Sequence, residues 1–161
     1  MGKRMITVRM IAVSLALCFF GALAGVAQQT DMTTGSWKMD EAKSKFSPGS
    51  PKSTMVVYEP AGDSVKVTID GTSSDGKPSH TEWTGKFDGK DYPVTGDSNQ
   101  STRSYSKVNA RALKFAVKSG DKVVLSGTII IAANGKSRTV KASGSSADGK
   151  KISYTAVYDK Q

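Results

Sequence analysis

Apolar and polar side chains alternate one by one along several stretches of the chain. Residues 64–70 read Ser-Val-Lys-Val-Thr-Ile-Asp, and residues 112–118 read Ala-Leu-Lys-Phe-Ala-Val-Lys. Trp83 and Phe87 occupy odd-numbered positions together with small residues, and polar or charged side chains occupy the even-numbered positions between them. A period of two places each apolar set on one face of a β-strand. Since no long stretch shows helical periodicity, the pattern predicts an all-β protein.

Turn sequences separate these alternating runs. An Asp-Gly or Asn-Gly pair followed by lysine occurs at residues 75–77, 88–90, 134–136 and 148–150. Glycine adopts the positive φ of a type I′ hairpin turn without steric cost, and Asp or Asn tolerates it. A calcium loop would gather several oxygen ligands within about a dozen residues, whereas these acids are dispersed. The pairs therefore predict tight hairpins between consecutive strands.

Hairpins at this spacing predict an antiparallel up-and-down meander of about 8–10 strands. A meander that long closes on itself or becomes two packed sheets, because open edges invite aggregation. We expect closure into a β-barrel in which the first and last strands pair. Within it, Glu41 to Lys45 could form one helical turn. Val123 to Ala133 is the most continuously apolar run, and we expect it to be buried on both faces or to be the best-covered strand.

The first 27 residues have the organisation of a secretory signal peptide. A basic start without acids is followed by an apolar stretch at residues 11–27 that ends in small residues. We expect cleavage after Ala27, with Ala24 as the next choice, and a single domain at residues 28–161. An uncleaved membrane anchor is the alternative, because the apolar run approaches the minimum length of a span. Either way, we expect the domain to be secreted or periplasmic.

Cysteine usage and charge narrow the functions open to this domain. The only cysteine, Cys18, lies in the predicted signal, and Leu17 stands where a lipoprotein signal requires a small residue. The mature chain would therefore hold no disulfide and no cysteine-based zinc site. It would carry 20 basic and 14 acidic residues, a net charge of +6. The lysines are spread over turns and alternate strand positions instead of being interleaved with stacking aromatics, which argues against nucleic-acid binding.

Gly35-Ser36-Trp37 resembles the Gly-x-Trp motif near the start of the first strand of lipocalins. In that family the tryptophan closes one barrel end, usually against a basic residue from a late strand. Nearly the whole mature chain is also similar to small exported bacterial proteins described as hypothetical or lipocalin-like. The matching stretches are residues 37–49, 75–78, 89–96 and 156–161. The resemblance implies export and a lipocalin-like β-barrel with Trp37 at one end, and it carries over no catalytic residue.

Candidate catalytic groups are few. His80 is the only histidine and lies two residues before Glu82, so both side chains could share one strand face. A base oriented by a carboxylate has this composition, and so does a minimal metal pair. The mature sequence offers no second histidine or cysteine to complete a zinc site, and no Gly-x-Ser-x-Gly nucleophile elbow. The sequence therefore predicts a protein that is not an enzyme and uses no metal and no cofactor.

A barrel of about eight strands encloses space for core side chains or for one small ligand, and ten strands enclose more. Trp83, Tyr105, Phe115 and Tyr154 are the candidate lining residues, because small-molecule pockets are mostly aromatic and apolar. The first hypothesis is a monomeric, non-enzymatic binder of a small apolar or amphipathic molecule, which contacts membrane only through its signal segment. The alternative is a structural or protein-binding cell-envelope protein in which the same rings form a filled core.

Overall fold

The computed structural model describes residues 32–97, 101–146 and 148–161, so the predicted signal peptide lies outside the described residues. Ten strands are present in this part of the chain: β1 (Gly35–Phe46), β2 (Lys52–Ala61), β3 (Ser64–Thr72), β4 (Pro78–Gly85), β5 (Tyr92–Thr95), β6 (Thr102–Asn109), β7 (Ala112–Ser119), β8 (Lys122–Ile131), β9 (Ser137–Ser145) and β10 (Lys151–Lys160). Each strand pairs antiparallel with its sequence neighbours, and β1 also pairs with β10. The predicted fold class, an antiparallel up-and-down meander closed into a barrel, is confirmed. Among the described residues, no helix is long and apolar enough to cross a membrane.

The alternation of side chains determines which face of the sheet becomes the interior. Along β7, Leu113, Phe115 and Val117 are buried, while Lys114 between them is exposed. Phe115 stands opposite Tyr105 of β6 on one side and Gly127 of β8 on the other. The glycine beside the Phe115 ring leaves room for large side chains in the narrow interior.

Residues 41–45 form no helical turn, so that prediction is wrong. They belong to β1, where the pairing with β10 jumps from Asp40↔Val157 to Lys45↔Thr155, so that residues 41–44 oppose one residue of β10. The Ser44 hydroxyl donates to the Asp40 carbonyl oxygen at 2.6 Å and accepts from the Val157 amide at 2.9 Å. Side-chain hydrogen bonds thus replace ladder bonds, and the segment forms a bulge within the strand.

The expectation that Val123 to Ala133 is buried on both faces, or best covered, is also wrong. Ile129 is 4% exposed and faces the interior, whereas Ile130 is 54% exposed and Val123 is 50% exposed. A closed single-layer barrel has one interior face, so every second side chain of β8 points outward whatever its polarity.

The hairpins lie at the predicted places, but their geometry differs from type I′. The Gly76 amide donates to the Ser73 carbonyl oxygen, and the Ser73 amide donates to the Lys77 carbonyl oxygen, both at 2.9 Å. This makes a three-residue loop in which Gly76, with φ of 81°, takes the left-handed position. The Ser73 hydroxyl donates to the Asp75 carboxylate at 2.6 Å and fixes the longer loop. Residues 146–150 repeat these hydrogen bonds.

Asp88-Gly89-Lys90 departs further from the hairpin prediction. It lies in the connection between β4 and β5, where Asp88 forms a bridge with Ser106 of β6. The Gly89 amide donates to the Tyr105 carbonyl oxygen at 2.8 Å. This connection therefore extends the pairing with β6 beyond the short strand β5.

Candidate ligand site inside the barrel

The two ends of the barrel are built differently. The first strand begins and the last strand ends at one end, which also carries the β2–β3, β4–β5, β6–β7 and β8–β9 connections. We call it the terminal end. The opposite end carries the β1–β2, β3–β4, β5–β6, β7–β8 and β9–β10 connections, and we call it the far end.

Trp37 lies near the terminal end, at the third residue of β1, and its predicted role in closing that end stays a prediction. Its side chain is completely buried, and its indole N–H donates to the Thr33 carbonyl oxygen at 2.9 Å. The guanidinium carbon of Arg138, on the late strand β9, lies 4.8 Å from the centre of the Trp37 ring. The same guanidinium lies 5.0 Å from the ring of Tyr58 and 4.7 Å from that of Tyr158. Three aromatic faces therefore surround one cation, an arrangement stabilised by attraction to the ring quadrupoles.

A cavity of about 50 Å³ lies on the other side of Arg138. Its lining combines aliphatic residues, four tyrosines and two arginines: Ser53, Val56, Tyr58, Ile69, Arg103, Tyr105, Phe115, Leu125, Ile129, Arg138, Val140, Tyr154 and Tyr158. Ile69, Leu125 and Tyr154 are half-buried and lie toward the far end, which indicates that the cavity is reached from there. Its volume exceeds the roughly 10–15 Å³ that a single water molecule requires.

The structure brings three of the four candidate lining residues to this cavity. Tyr105, Phe115 and Tyr154 are on its wall. Trp83 is absent from the lining; it is 1% exposed and packs against Tyr105, with ring centres 4.9 Å apart. Its indole N–H donates to the Arg103 carbonyl oxygen at 2.8 Å. Trp83 therefore packs behind the cavity wall, and the ligand-binding role of the other three residues stays a prediction.

Two inward-facing arginines were not among the predicted site residues. Arg138 is 2% exposed, and the Nε atoms of Arg103 and Arg138 are both buried without a hydrogen-bond partner among the described residues. One terminal nitrogen of Arg103 donates to the Tyr105 hydroxyl at 3.5 Å, a long contact. The alternation of side chains could have identified both arginines. Arg103 lies two residues from Tyr105 on the same strand face, and Arg138 shares its strand face with Val140 and Ala142.

The cavity lining contains no Asp or Glu from the part of the chain that the structure describes. The polar partner of Arg103 is instead the Tyr105 hydroxyl, and Arg138 faces three aromatic rings. Burial raises the pKa of Tyr105, Tyr154 and Tyr158 above its ordinary value, so these hydroxyls stay neutral at physiological pH. The guanidinium groups remain charged. The interior therefore holds two positive charges faced by neutral oxygen atoms and aromatic rings.

An aromatic pair stands at the far end beside the cavity. The rings of Phe46 and Tyr154 stack with centres 5.3 Å apart, and Lys52 Nζ lies 5.6 Å from the Phe46 ring centre. Both rings are half-buried. We call Phe46 and Tyr154 the mouth pair, because Tyr154 also lines the cavity.

His80 lies outside this site. Its Nδ1 is 2.5 Å from an Asp70 carboxylate oxygen on the neighbouring strand, and both side chains are exposed. Glu82, the predicted partner on the same strand, pairs with Lys66 Nζ at 2.7 Å instead. Within the described ranges, no cluster of three or more His, Cys, Asp or Glu side chains could hold a metal ion.

Comparisons with known proteins inform on the architecture alone. No family model matches the chain, and no curated protein matches it. Several solved structures are similar, among them the following three. The designed protein EF1p2_mFAP2b bound to DFHBI is 13% identical, with a TM-score of 0.44, over 81% of this chain and 94% of that one. A de novo designed fluorescence-activating β-barrel is 16% identical, with a TM-score of 0.40, over 80% and 93%. Bovine odorant-binding protein in complex with its natural ligand is 13% identical, with a TM-score of 0.37, over 83% and 74%. Likeness at this level carries no argument about what the present chain binds.

Proposed function

We propose that this protein is a non-enzymatic binder of a small apolar or amphipathic molecule, which it takes up from the far end of the barrel. The observation that supports the proposal is the cavity itself, with aromatic and aliphatic walls and a few polar groups. Such a composition is typical of small-molecule sites. We also propose that it works as a monomer after export, with a signal peptide removed near Ala27.

Binding requires the mouth pair to move. The cavity of about 50 Å³ is smaller than the roughly 300–1,000 Å³ of sites for drug-sized ligands. Phe46 and Tyr154 are half-buried, so rotation of their side chains toward solvent enlarges the space. The stacking they lose stabilises the closed state by about 0.5–1.5 kcal/mol, which the burial of a ligand's apolar surface can offset.

A cavity-filling substitution tests the proposal. Val140 is buried on the cavity wall, and Val140→Phe adds a volume similar to the cavity itself. Ile130→Phe is the matched control, because it adds a ring on the outer face of the neighbouring strand β8. The probe is N-phenyl-1-naphthylamine, a neutral dye that fluoresces in apolar sites. We expect wild type and Ile130→Phe to bind the dye and Val140→Phe, verified as folded by circular dichroism, to bind it at least tenfold more weakly.

Equal dye binding by all three proteins would place the dye outside the barrel and overturn the proposal. A second variant, Tyr154→Ala, enlarges the site and does not depend on overpacking. We expect it to bind the dye more tightly than wild type does, because it removes one ring of the mouth pair. Weaker binding by this variant would also contradict the proposal.

The second candidate is a structural or protein-binding envelope protein, and the small size of the cavity is the observation that favours it. Native mass spectrometry of protein purified from its own cells separates the two. A co-purifying small molecule supports the proposed binding. A measured mass that corresponds to a chain beginning at Gln28 supports the proposed export step. A protein partner, with no bound small molecule and no dye binding, supports the second candidate.

A further inference from the structure

The two arginines inside the barrel have no function in the binder as proposed so far. Arg138 is held by three aromatic faces at the terminal end. Arg103 lies on the first half of β6, toward the far end, and its side chain donates the 3.5 Å contact to the Tyr105 hydroxyl. The guanidinium of Arg103 therefore lies nearer the far end, and its buried Nε has no hydrogen-bond partner among the described residues.

Arg103 is half-buried, and a guanidinium whose Nε is buried without a partner or an anion is energetically unfavourable. Removing a charge from water carries a large penalty unless the charge is paired and hydrogen-bonded. Arginine cannot relieve this penalty by losing its proton. The lining offers tyrosine hydroxyls and no carboxylate among the described residues, so a ligand with an anionic group would supply the missing charge.

We propose that the bound molecule is an amphipathic monocarboxylate whose carboxylate is held by Arg103. This inference rests on the proposed function and specifies its ligand class. The planar guanidinium fork matches a carboxylate in a bidentate pair, and the unpartnered Nε of Arg103 supplies one of the two donors. The caged Arg138 adds a second positive charge, and the apolar wall receives the hydrocarbon part of the ligand.

The residues that line the cavity favour an amphipathic monocarboxylate over a free anion. A site for inorganic phosphate or acetate would surround the ion with donors, whereas Val56, Ile69, Leu125, Ile129 and Val140 make up much of this lining. Contact with these side chains stabilises a ligand in proportion to its apolar area. The anionic group therefore supplies specificity, and the hydrocarbon part supplies much of the affinity.

Matched eight-carbon probes test the inference. Octanoate, methyl octanoate, octan-1-ol and octylamine share one chain and differ in charge, and acetate and inorganic phosphate carry the charge without the chain. Affinities are measured by isothermal titration calorimetry on wild type, Arg103→Met and Arg111→Met. Arg111 is the matched control, because it is an exposed arginine at the β6–β7 connection.

We expect octanoate to bind wild type and Arg111→Met equally, and to bind Arg103→Met roughly 10- to 100-fold more weakly, as expected for the loss of a charged hydrogen-bonded partner. Octan-1-ol should bind all three proteins alike, and octylamine should bind none of them measurably. Methyl octanoate should bind wild type at least tenfold more weakly than octanoate, a comparison that needs no variant to fold.

Octanoate binding that is unchanged in Arg103→Met, or equal to that of methyl octanoate, would overturn the carboxylate inference and leave the proposed function standing. Acetate or phosphate binding as tight as octanoate binding would overturn the amphipathic part. If neither octanoate nor octan-1-ol binds wild type, and the dye does not bind either, the proposed function fails and this inference fails with it.

Discussion

Replacing Trp37 by alanine should destabilise the barrel more than any other change at its terminal end. The indole is completely buried, donates to the Thr33 carbonyl oxygen at 2.9 Å and packs on the guanidinium of Arg138. It also lies 5.2 Å from Lys160 Nζ of the last strand. The substitution therefore removes contacts that connect β1, β9, β10 and the segment before β1.

The magnitude follows from these contacts. Truncation of a buried tryptophan or phenylalanine to alanine costs about 3–5 kcal/mol, and a desolvated cation–π contact adds about 1–2 kcal/mol. We expect a loss of about 4–7 kcal/mol from a total stability that is typically about 5–15 kcal/mol. Trp37→Phe keeps a ring for Arg138 and loses the N–H donor with part of the buried area, so we expect a loss of about 2–3 kcal/mol.

Urea unfolding followed by circular dichroism and by the fluorescence of Trp83 measures both losses. The control is Lys38→Ala, because Lys38 is the outward-facing neighbour of Trp37, and its loss should stay within about 0.5 kcal/mol. A loss below about 2 kcal/mol for Trp37→Ala would refute the reasoning. Equal losses for the alanine and phenylalanine variants would show that the contact with Arg138 contributes nothing.

Two further predictions concern the turns and the packing between strands. The Lys150 side chain, followed by the Ser146 hydroxyl, lowers the pKa of the exposed Asp148 carboxyl to about 2. The stability this gives is present above the unfolded pKa of about 3.9 and is lost as pH falls through about 2. Asp148→Asn should therefore reduce the pH dependence of stability in that window, and an NMR titration midpoint near 4 for the wild-type carboxyl would contradict this. Gly76→Ala should cost about 1–2 kcal/mol, because φ is +81° with open space around it. Gly127→Ala should cost about 3 kcal/mol, because the new Cβ would lie 2.2 Å from the Lys141 carbonyl oxygen; equal losses in urea unfolding would contradict this difference.

Local patterns in the sequence were sufficient for the architecture. Alternation with a period of two requires neighbouring side chains to face opposite sides of a sheet, whatever the rest of the chain does. The glycines of the hairpins require a positive φ at their own positions, as Gly76 and Gly149 show. Neither feature depends on distant residues, so strand positions and antiparallel order could be predicted from the sequence.

Other features depended on distances between strands that are far apart in sequence. The bulge in β1 exists because Ser44 finds the Val157 amide, a partner more than a hundred residues away. Ile130 points outward because the sheet closes into a single-layer barrel, which has only one interior face. The apolar run by itself does not show whether a second layer covers the other face.

The content of the barrel interior could not be predicted from the sequence. The alternation of side chains places Arg103 and Tyr105 on one face of the strand. It does not show whether the space next to that face holds water, is filled by side chains or is empty. The free space depends on which side chains lie next to one another, as when Phe115 of β7 lies beside Gly127 of β8 and Arg138 lies among three rings. The sequence alone thus determined the strands and their antiparallel order, because those rules act between neighbours. Only the tertiary structure decided that two arginine cations share a small cavity, because that outcome depends on side chains brought together from strands that are far apart in the sequence.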